Sequence, residues 1–556
     1  MVVNFSRAQQ LAIVAIILLA IAVYAQLIPV GALNWDDDSN VFKNPFYKAG
    51  IWKAFWVDSY FGLYVPVTSM VWQALYYIGG GKALPFRILN LALHLANIYL
   101  VFLLLKSLAE RWHLKSGWGL IAALSWFALH PMQIQAVAWI SGGRDLLSAF
   151  FSLLCVYTFF RWKHWSALIP STIFFALAVL SKPNSVVLPA LVPFLCFMVS
   201  RERLKMSFAA AVLWTGVSGV SIYMTLYAQR DFLLPLKWWE RLVIMGDTYS
   251  FYLQKLIFPF PLSANYDRQP EIILTSWEPF LRAGALAAVL GFFYRWAKTK
   301  EPRFFLALGW FALLLPVSGL VAFGYQRIST PADHYNYLPM VALAGVLMLW
   351  LNVCPYWPRW AAPISTALIG VLAVLSLMRV QVWTSDSAFF DDMISYAPDS
   401  YSTGLGMSLV KCEQQQQYIE GERWCHMALA KRPNDIMVLA NLAYCRFNSR
   451  DYKKTIELES YLEKLDMEEM LTKQPSAYSS FLASLGSALV EDKHYYDGYQ
   501  MLCEAFRIKP SEKNHETNIV VANGILQKNG IDPVCEPKFQ PKKKPLASED
   551  DPEPSN

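Results

Sequence analysis

The chain has 556 residues, 55% hydrophobic, 15% aromatic and only 16% charged, with a formal net charge of +6 and a mean hydropathy of +0.30. Soluble domains carry about 25% charged residues, so this composition excludes an ordinary soluble protein and points to a polytopic membrane protein. The positive residues fall mostly in short loops, and no glycine-rich phosphate loop, CxxC pair or HExxH occurs. That argues against nucleic-acid binding, nucleotide hydrolysis and structural zinc; no metal site or cofactor is expected, with dependence on a divalent metal left open.

The first apolar run covers about 11–29, and at roughly twenty residues it can span a bilayer. Ala20-Ile21-Ala22 resembles a signal-peptide cleavage site, but the run continues apolar past it, which favours an uncleaved span. Trp35-Asp36-Asp37-Asp38 follows, continuing through Asn40 to Asn44-Pro45. Like charges at a membrane edge can hold at least one carboxylate at a raised pKa, ready to accept a proton. A solvated acidic loop is the plain alternative. The segment 42–78 is rich in Trp and Tyr and broken by Pro45, Gly62 and Pro66, and reads as short helices lying along the outer surface.

Further apolar spans are centred near Asn97, Trp126, Leu153, Phe175, Leu191, Leu213, Leu286, Ala312, Ala344 and Ile369. With the first, this predicts about eleven transmembrane helices. If the amino terminus is inside, the inner loops are 106–115, 161–164, 201–205, 295–303 and the neighbourhood of Arg359. Each is net positive, as the positive-inside rule requires. Everything after about Arg379 then lies outside, together with the loops 34–78, 130–145, 181–184, 230–278 and 324–337. Within the fourth, 242–258 reads either as an amphipathic helix on the membrane or as part of a buried helix pair.

Polar residues gather on that outer side. Asn90, His94 and Asn97 share one helical face inside an apolar span, where packing through interhelical hydrogen bonds and contact with a ligand are both open. His130-Pro131 ends the third span, and Gly142-Gly143-Arg144-Asp145 begins the fourth. The glycines permit close backbone approach, and Arg144 could grip a phosphate or pair with Asp145. Lys182, Lys255, Arg327 and His334 lie at outer ends, the last beside Asp333. One such cation alone reads as a snorkelling side chain. Several of them opposite an acidic cluster point to an anionic substrate held next to a carboxylate base.

Beyond Trp383 the composition becomes that of a soluble helical domain. Asn441-Leu442-Ala443 is followed by Arg450-Asp451-Tyr452, and Leu485-Gly486 by Tyr495, Ala505 and Pro510. These offsets fit tetratricopeptide repeats, whose stacked helix pairs form an α-solenoid with a groove for an extended peptide or another protein. The division expected is 1–383 for the membrane domain, 384–530 for the repeats and 531–556 for a disordered tail. Five of eight cysteines lie in the outer domain, where a disulfide such as Cys412 with Cys425 and reduced, packed cysteines are both open.

Taken together, Trp35-Asp36-Asp37, Asn44-Pro45, Tyr64-Val65-Pro66, Asn90-Leu91-Ala92-Leu93-His94, His130-Pro131, Ala136-Val137-Ala138-Trp139-Ile140, Arg144-Asp145, Leu180-Ser181-Lys182-Pro183, Pro259 with Leu262-Ser263-Ala264, and 332–339 resemble one family. It is the GT-C glycosyltransferases, in particular bacterial relatives of the transmembrane and tetratricopeptide repeat-containing O-mannosyltransferases. The resemblance implies an all-α polytopic GT-C membrane domain followed by the repeats. It implies inverting transfer of a sugar from a polyprenyl-phosphate donor to a serine or threonine hydroxyl of an acceptor protein, such as a pilin or other surface protein. Asp36 and Asp37 match the family's acidic pair. Arg144, Lys182 and Lys255 would serve the lipid phosphate, Asp333 and His334 would line the cavity, and His130, His94 and Arg327 are further substrate-binding candidates. Gln135 stands where a glutamate is expected and His334 where an arginine is expected. The setting implied is a bacterial inner membrane with the repeats in the periplasm, or an endoplasmic reticulum membrane with them in the lumen. The competing functions are a lipid-linked sugar flippase, which would favour midplane charges and internal repeats, and a non-enzymatic envelope assembly factor that uses its repeats.

Overall fold

The structure, a computed structural model, describes residues 5–535 apart from 49, 51, 58, 61, 115–116, 163, 231–232, 283, 285–290, 292–301, 355 and 511–512. It divides into two compact units, Met1–Tyr396 and Ala397–Asn556. Helices dominate both, and among the described residues the only β pairing is an isolated bridge between Tyr60 and Leu63. The fold is all-α, as expected.

In the first unit, Ser6 and Gln9 form a reciprocal capping box, Ser6 N donating to Gln9 Oε1 (2.9 Å) and Gln9 N to Ser6 Oγ (3.3 Å). This satisfies two otherwise orphaned groups just ahead of the apolar helix Arg7–Ala25. Among the described residues five helices are long and apolar enough to cross a membrane: Arg7–Ala25, Leu84–Arg111, Ile140–Arg161, Arg201–Gln229 and Arg359–Trp383. Their outer faces carry bare side chains such as Leu18 (60% exposed) and Val212 (76%), the mark of a surface that meets lipid.

Five more of the expected spans are shorter apolar helices: Gly117–Leu129, Trp165–Ser181, Pro183–Phe197, Arg303–Val317 and Met340–Val353. The prolines explain their length. Proline has no N–H to donate and disfavours helix in the residue before it. Gly117–Leu129 stops just ahead of His130-Pro131, and Trp165–Ser181 gives way at Lys182-Pro183. The helix from Pro302 tightens into a turn at Leu315–Val317, and Pro339 precedes Met340–Val353. These breaks put polar backbone beside the cluster described below. The span expected near Leu286, with most of loop 295–303, lies outside the described residues.

The helix Trp238–Ile257 buries Asp247, Tyr249, Tyr252 and Lys255 and bares Trp238 and Ile257 at its two ends. Asp247, fully buried, is neutralised by Arg268, through Nε at 2.9 Å and a second nitrogen, and by Arg282 at 3.1 Å.

The chain leaves the first unit later than the change in composition, because the helix Asp386–Tyr396 packs Phe389, Phe390 and Met393 into it. In the second unit, helix pairs stack as the repeat pattern predicts. Gly486 and Gly498 touch: a Cβ on either would lie under 3 Å from the other's carbonyl oxygen. Only glycine lets Pro475–Glu491 and Tyr495–Ile508 approach so closely. Two disulfides tie the unit, Cys412–Cys445 and Cys503–Cys535. The example pairing of Cys412 with Cys425 is not the one adopted. Cys425 is free and buried, and it is Gly421, one turn earlier on the same helix, whose missing side chain leaves room for the Cys412 sulfur. The segment Ile531–Cys535, which opens the expected tail, is fastened by the second disulfide and by Gln500 Nε2 donating to Val534 O (2.6 Å). The tail beyond it lies outside the described residues.

Candidate active site

The acidic stretch lies in the loop after the first span, and its two carboxylates have different surroundings. Asp37 is fully buried. Its Oδ1 accepts from the Ser141 backbone N–H (2.9 Å) and hydroxyl (2.8 Å) at the start of the helix Ile140–Arg161, where free amides favour a carboxylate. Burial raises its carboxyl above the usual range, and the Arg87 charge and the Ser141 hydrogen bonds pull it back. Arg87, buried as well, donates to the carbonyls of Ala138 and Gly31, so it ties the acidic loop to the 133–142 segment.

Asp36 keeps part of its side chain open. Its Oδ1 accepts from Trp139 Nε1 (2.8 Å) and its Oδ2 from Asn40 Nδ2 (2.9 Å). Burial lifts its carboxyl to about 7, the Arg144 charge opposing and the Asp37 charge adding. A carboxyl held there is poised to accept a proton near neutral pH. Asp37 is sealed in, its Oδ1 held by Ser141 and its Oδ2 without a hydrogen-bond partner among the described residues, whereas Asp36 has both oxygens held and stays partly exposed. The side chain of Asp38 lies outside the described residues.

Arg144 is brought beside Asp36 by a tight turn. A Cβ on Gly142 would lie 2.4 Å from Ala136 O, and one on Gly143 would lie 2.7 Å from Asn90 Oδ1, so the backbone runs where no side chain fits. The Arg144 guanidinium lies 5.1 Å from the Trp139 ring, and its Nε is buried with no hydrogen-bond partner among the described residues. The Arg144 charge acts on both Asp36 and Asp145, and the unmet Nε leaves a buried donor that an incoming anion can satisfy. Lys182 pairs with Asp145 at 2.5 Å and lies 4.8 Å from the Tyr335 ring.

His334 completes this group, its ring 5.0 Å from Trp139 and 4.2 Å from Tyr335. Gln135 Oε1 accepts from His334 N (3.0 Å) and stands 3.1 Å from its Nδ1, while Gln135 Nε2 donates to Ala264 O (3.1 Å). The two departures from the family pattern are therefore two halves of one contact. Burial, with Lys182 and Arg144 nearby, holds the imidazole well below the ordinary histidine range. A neutral amide–imidazole pair occupies the place where a glutamate and an arginine were expected.

Asp333 faces a separate group. Tyr266 OH donates to its Oδ1 (2.6 Å), and Oδ2 has no hydrogen-bond partner among the described residues. Burial raises this carboxyl to about 7 against the pull of Arg379 and Lys255. Lys255 donates to Pro261 O and lies within 6 Å of the Phe251, Tyr266 and Tyr396 rings. The other sequence candidates stand elsewhere. His94 bonds Tyr337 OH (2.8 Å) and Ala128 O (3.1 Å), and Asn97 also reaches Tyr337, which is an interhelical packing network. His130 accepts from Met132 N (3.3 Å), and its Nε2 faces Leu256 O (3.4 Å); burial lowers its pKa to about 4. Arg327 is exposed on the turn Gly324–Arg327.

Sequence reasoning missed Arg87, Ser141 and Tyr266. Arg87 had a readable signal, a lone cation inside an apolar helix. Ser141 and Tyr266 lie next to quoted motifs, but neither residue carries a pattern of its own. Among the described residues no group of three or more His, Cys, Asp or Glu is placed to hold a metal ion.

Fold and site together define an all-α membrane protein with helical repeats that gathers buried carboxylates and cations around aromatic rings. The chain is similar to protein O-mannosyl-transferase Tmtc1 of Drosophila melanogaster, 32% identical over 166 residues that cover 29% of this chain and 18% of that protein. It is also similar to human protein O-mannosyl-transferase TMTC4, 35% identical over 101 residues (16% and 14%), and to Drosophila Tmtc2, 32% identical over 105 residues (19% and 11%). These matches span less than a fifth of the length of each relative. They bear out the resemblance read from the motifs. No family model and no solved structure matches the chain.

Proposed function

We propose that this protein is a membrane glycosyltransferase that moves a sugar from a polyprenyl-phosphate carrier to a serine or threonine hydroxyl of an acceptor protein, with inversion. The observation that carries the reading is the partly exposed Asp36, its carboxyl lifted to about 7 by burial, beside an Arg144 guanidinium whose Nε has no hydrogen-bond partner among the described residues. A hydroxyl is a poor nucleophile, and a carboxylate within about 3 Å can take its proton as the new bond to the anomeric carbon forms. The bond from that carbon to the phosphate oxygen breaks on the opposite face. The departing lipid phosphate carries the charge away, so no general acid is required, and Arg144 with Lys182 stabilises it. Asp37 holds the loop. The names of the relatives supply the reaction class, and mannose is the first sugar to test.

The two disulfides support placing the second unit in an oxidising compartment. The first loop joins the end of the last span on one side of the first unit, Asn34 bonding Asp386 and Gln381 bonding Gln26, which agrees with the loop-charge orientation. On this reading Asp36 works on the outer face, and the repeats present the acceptor there. The test is to incubate purified full-length protein with polyprenyl-phosphate mannose and a secreted acceptor protein, then weigh the acceptor. A gain of one hexose is expected. No gain from this donor or from other polyprenyl-phosphate hexoses and pentoses would remove the proposal.

A further inference from the structure

The loop that carries Asp36 is gripped from far along the chain. Asn34 donates twice to one carboxylate, its backbone N–H to Asp386 Oδ1 (2.7 Å) and its side-chain amide to Asp386 Oδ2 (3.0 Å). The next residue, Trp35, sets its ring against Phe389 (5.7 Å) and Phe390 (6.5 Å), one turn further along the same helix. Phe389 is in turn wedged against Trp383 (5.1 Å), and Gln381 Nε2 donates to Gln26 Oε1 (2.6 Å) at the end of the first span. All of these lie within the first unit. On the other side of Asp36, the loop is held by Trp139, Asn40 and Ser141. Asp36 is thus suspended between two supports, and the helix Asp386–Tyr396 supplies one.

We propose that Asp386 is a positioning residue for the Asp36 carboxylate, and that the helix Asp386–Tyr396 belongs to the catalytic apparatus and is more than a connection to the repeats. The proposal rests on the reading of Asp36 as base. A two-point bond between a carboxylate and a backbone–side-chain pair fixes direction as well as distance. Asp36 is two residues from Asn34, so loosening that bond shifts the base against the hydroxyl. A displacement of about 1 Å from a remote change can cost about 100-fold in rate. The far end of the helix meets one donor-phosphate candidate, Tyr396 setting its ring 5.6 Å from Lys255, and a change at Asp386, about three turns away, leaves that contact and donor binding as they are.

The test is Asp386→Asn in the full-length protein, with polyprenyl-phosphate mannose as probe donor. The amide cannot accept from both Asn34 groups, so kcat is expected to fall about 10- to 100-fold while KM for the lipid stays within about twofold. Asn34→Asp added to Asp386→Asn restores both hydrogen bonds with the side-chain polarity reversed, and should recover most of kcat. Hydrogen exchange at the Asn34 amide should quicken in Asp386→Asn and return in the double variant. Unchanged kcat, or loss that the double variant does not recover, would overturn the proposal. The exchange readout needs no activity. If the wild type transfers no sugar, the glycosyltransferase reading fails by itself, and an Asn34 amide as protected in Asp386→Asn as in wild type overturns the tether separately.

Discussion

Two neighbouring aspartates can share a site only if their surroundings separate their tasks. Asp37 spends its Oδ1 on the Ser141 amide and hydroxyl and lies near the Arg87 charge. Asp36 is lifted to about 7 and keeps an open edge. A base works only when ionised, so kcat/KM should fall as pH drops through about 7, about tenfold per unit below it. A pH–rate profile checks this, and a rate flat between pH 5 and 8 would contradict it. Asp37→Ala leaves the Ser141 donors unmet and should cost about 1–3 kcal/mol of stability, seen as a lowered unfolding midpoint in detergent. Asp36→Asn should leave that midpoint close to wild type. Asp36, Asp37 and Arg144 could be read from the sequence because charges stand out against an apolar background. The joining of Gln135 to His334 could not, since no local pattern links positions so far apart in the chain.

Helical elements here are set by where proline and glycine interrupt an apolar chain. The apolar runs read as about eleven spans of bilayer length, but His130-Pro131, Lys182-Pro183 and Pro339 cut several of them short, and the turns that result carry the site. Hydropathy locates such segments without saying that they break. In the repeats, Gly486 is legible as part of the repeat signature, whereas its partner Gly498 and the cysteine pairings are not, because helix facing decides them. Cys412 and Cys445 are 33 residues apart, and closing a loop of that size is worth about 3–4 kcal/mol on the chain-entropy estimate. Cys412→Ser should therefore lower the stability of the repeat unit by about that much. Counting thiols in the unfolded, unreduced protein should give four free and four paired among the eight cysteines. Eight free thiols in protein taken from its native membrane would contradict the oxidising setting.

At the scale of the molecule, loop-charge parity and the first-unit geometry agree that the acidic loop and the end of the last span share one side. Asn34–Asp386 and Gln26–Gln381 join the two directly. The composition change after Trp383 marked the soluble part, but the helix Asp386–Tyr396 stays with the membrane unit, since its Phe389 and Phe390 answer Trp35 across more than 350 positions of sequence. Such a partnership has no signature in a single chain. The central claim is that Asp36 takes the proton of the acceptor hydroxyl, and the most direct measurement is the transfer rate of Asp36→Asn beside wild type. It uses polyprenyl-phosphate mannose with acceptor mass as the readout, after the variant's fold has been matched to wild type. The account predicts a loss of about 100- to 10,000-fold in kcat with lipid binding retained. An Asp36→Asn protein that glycosylates at the wild-type rate would contradict it.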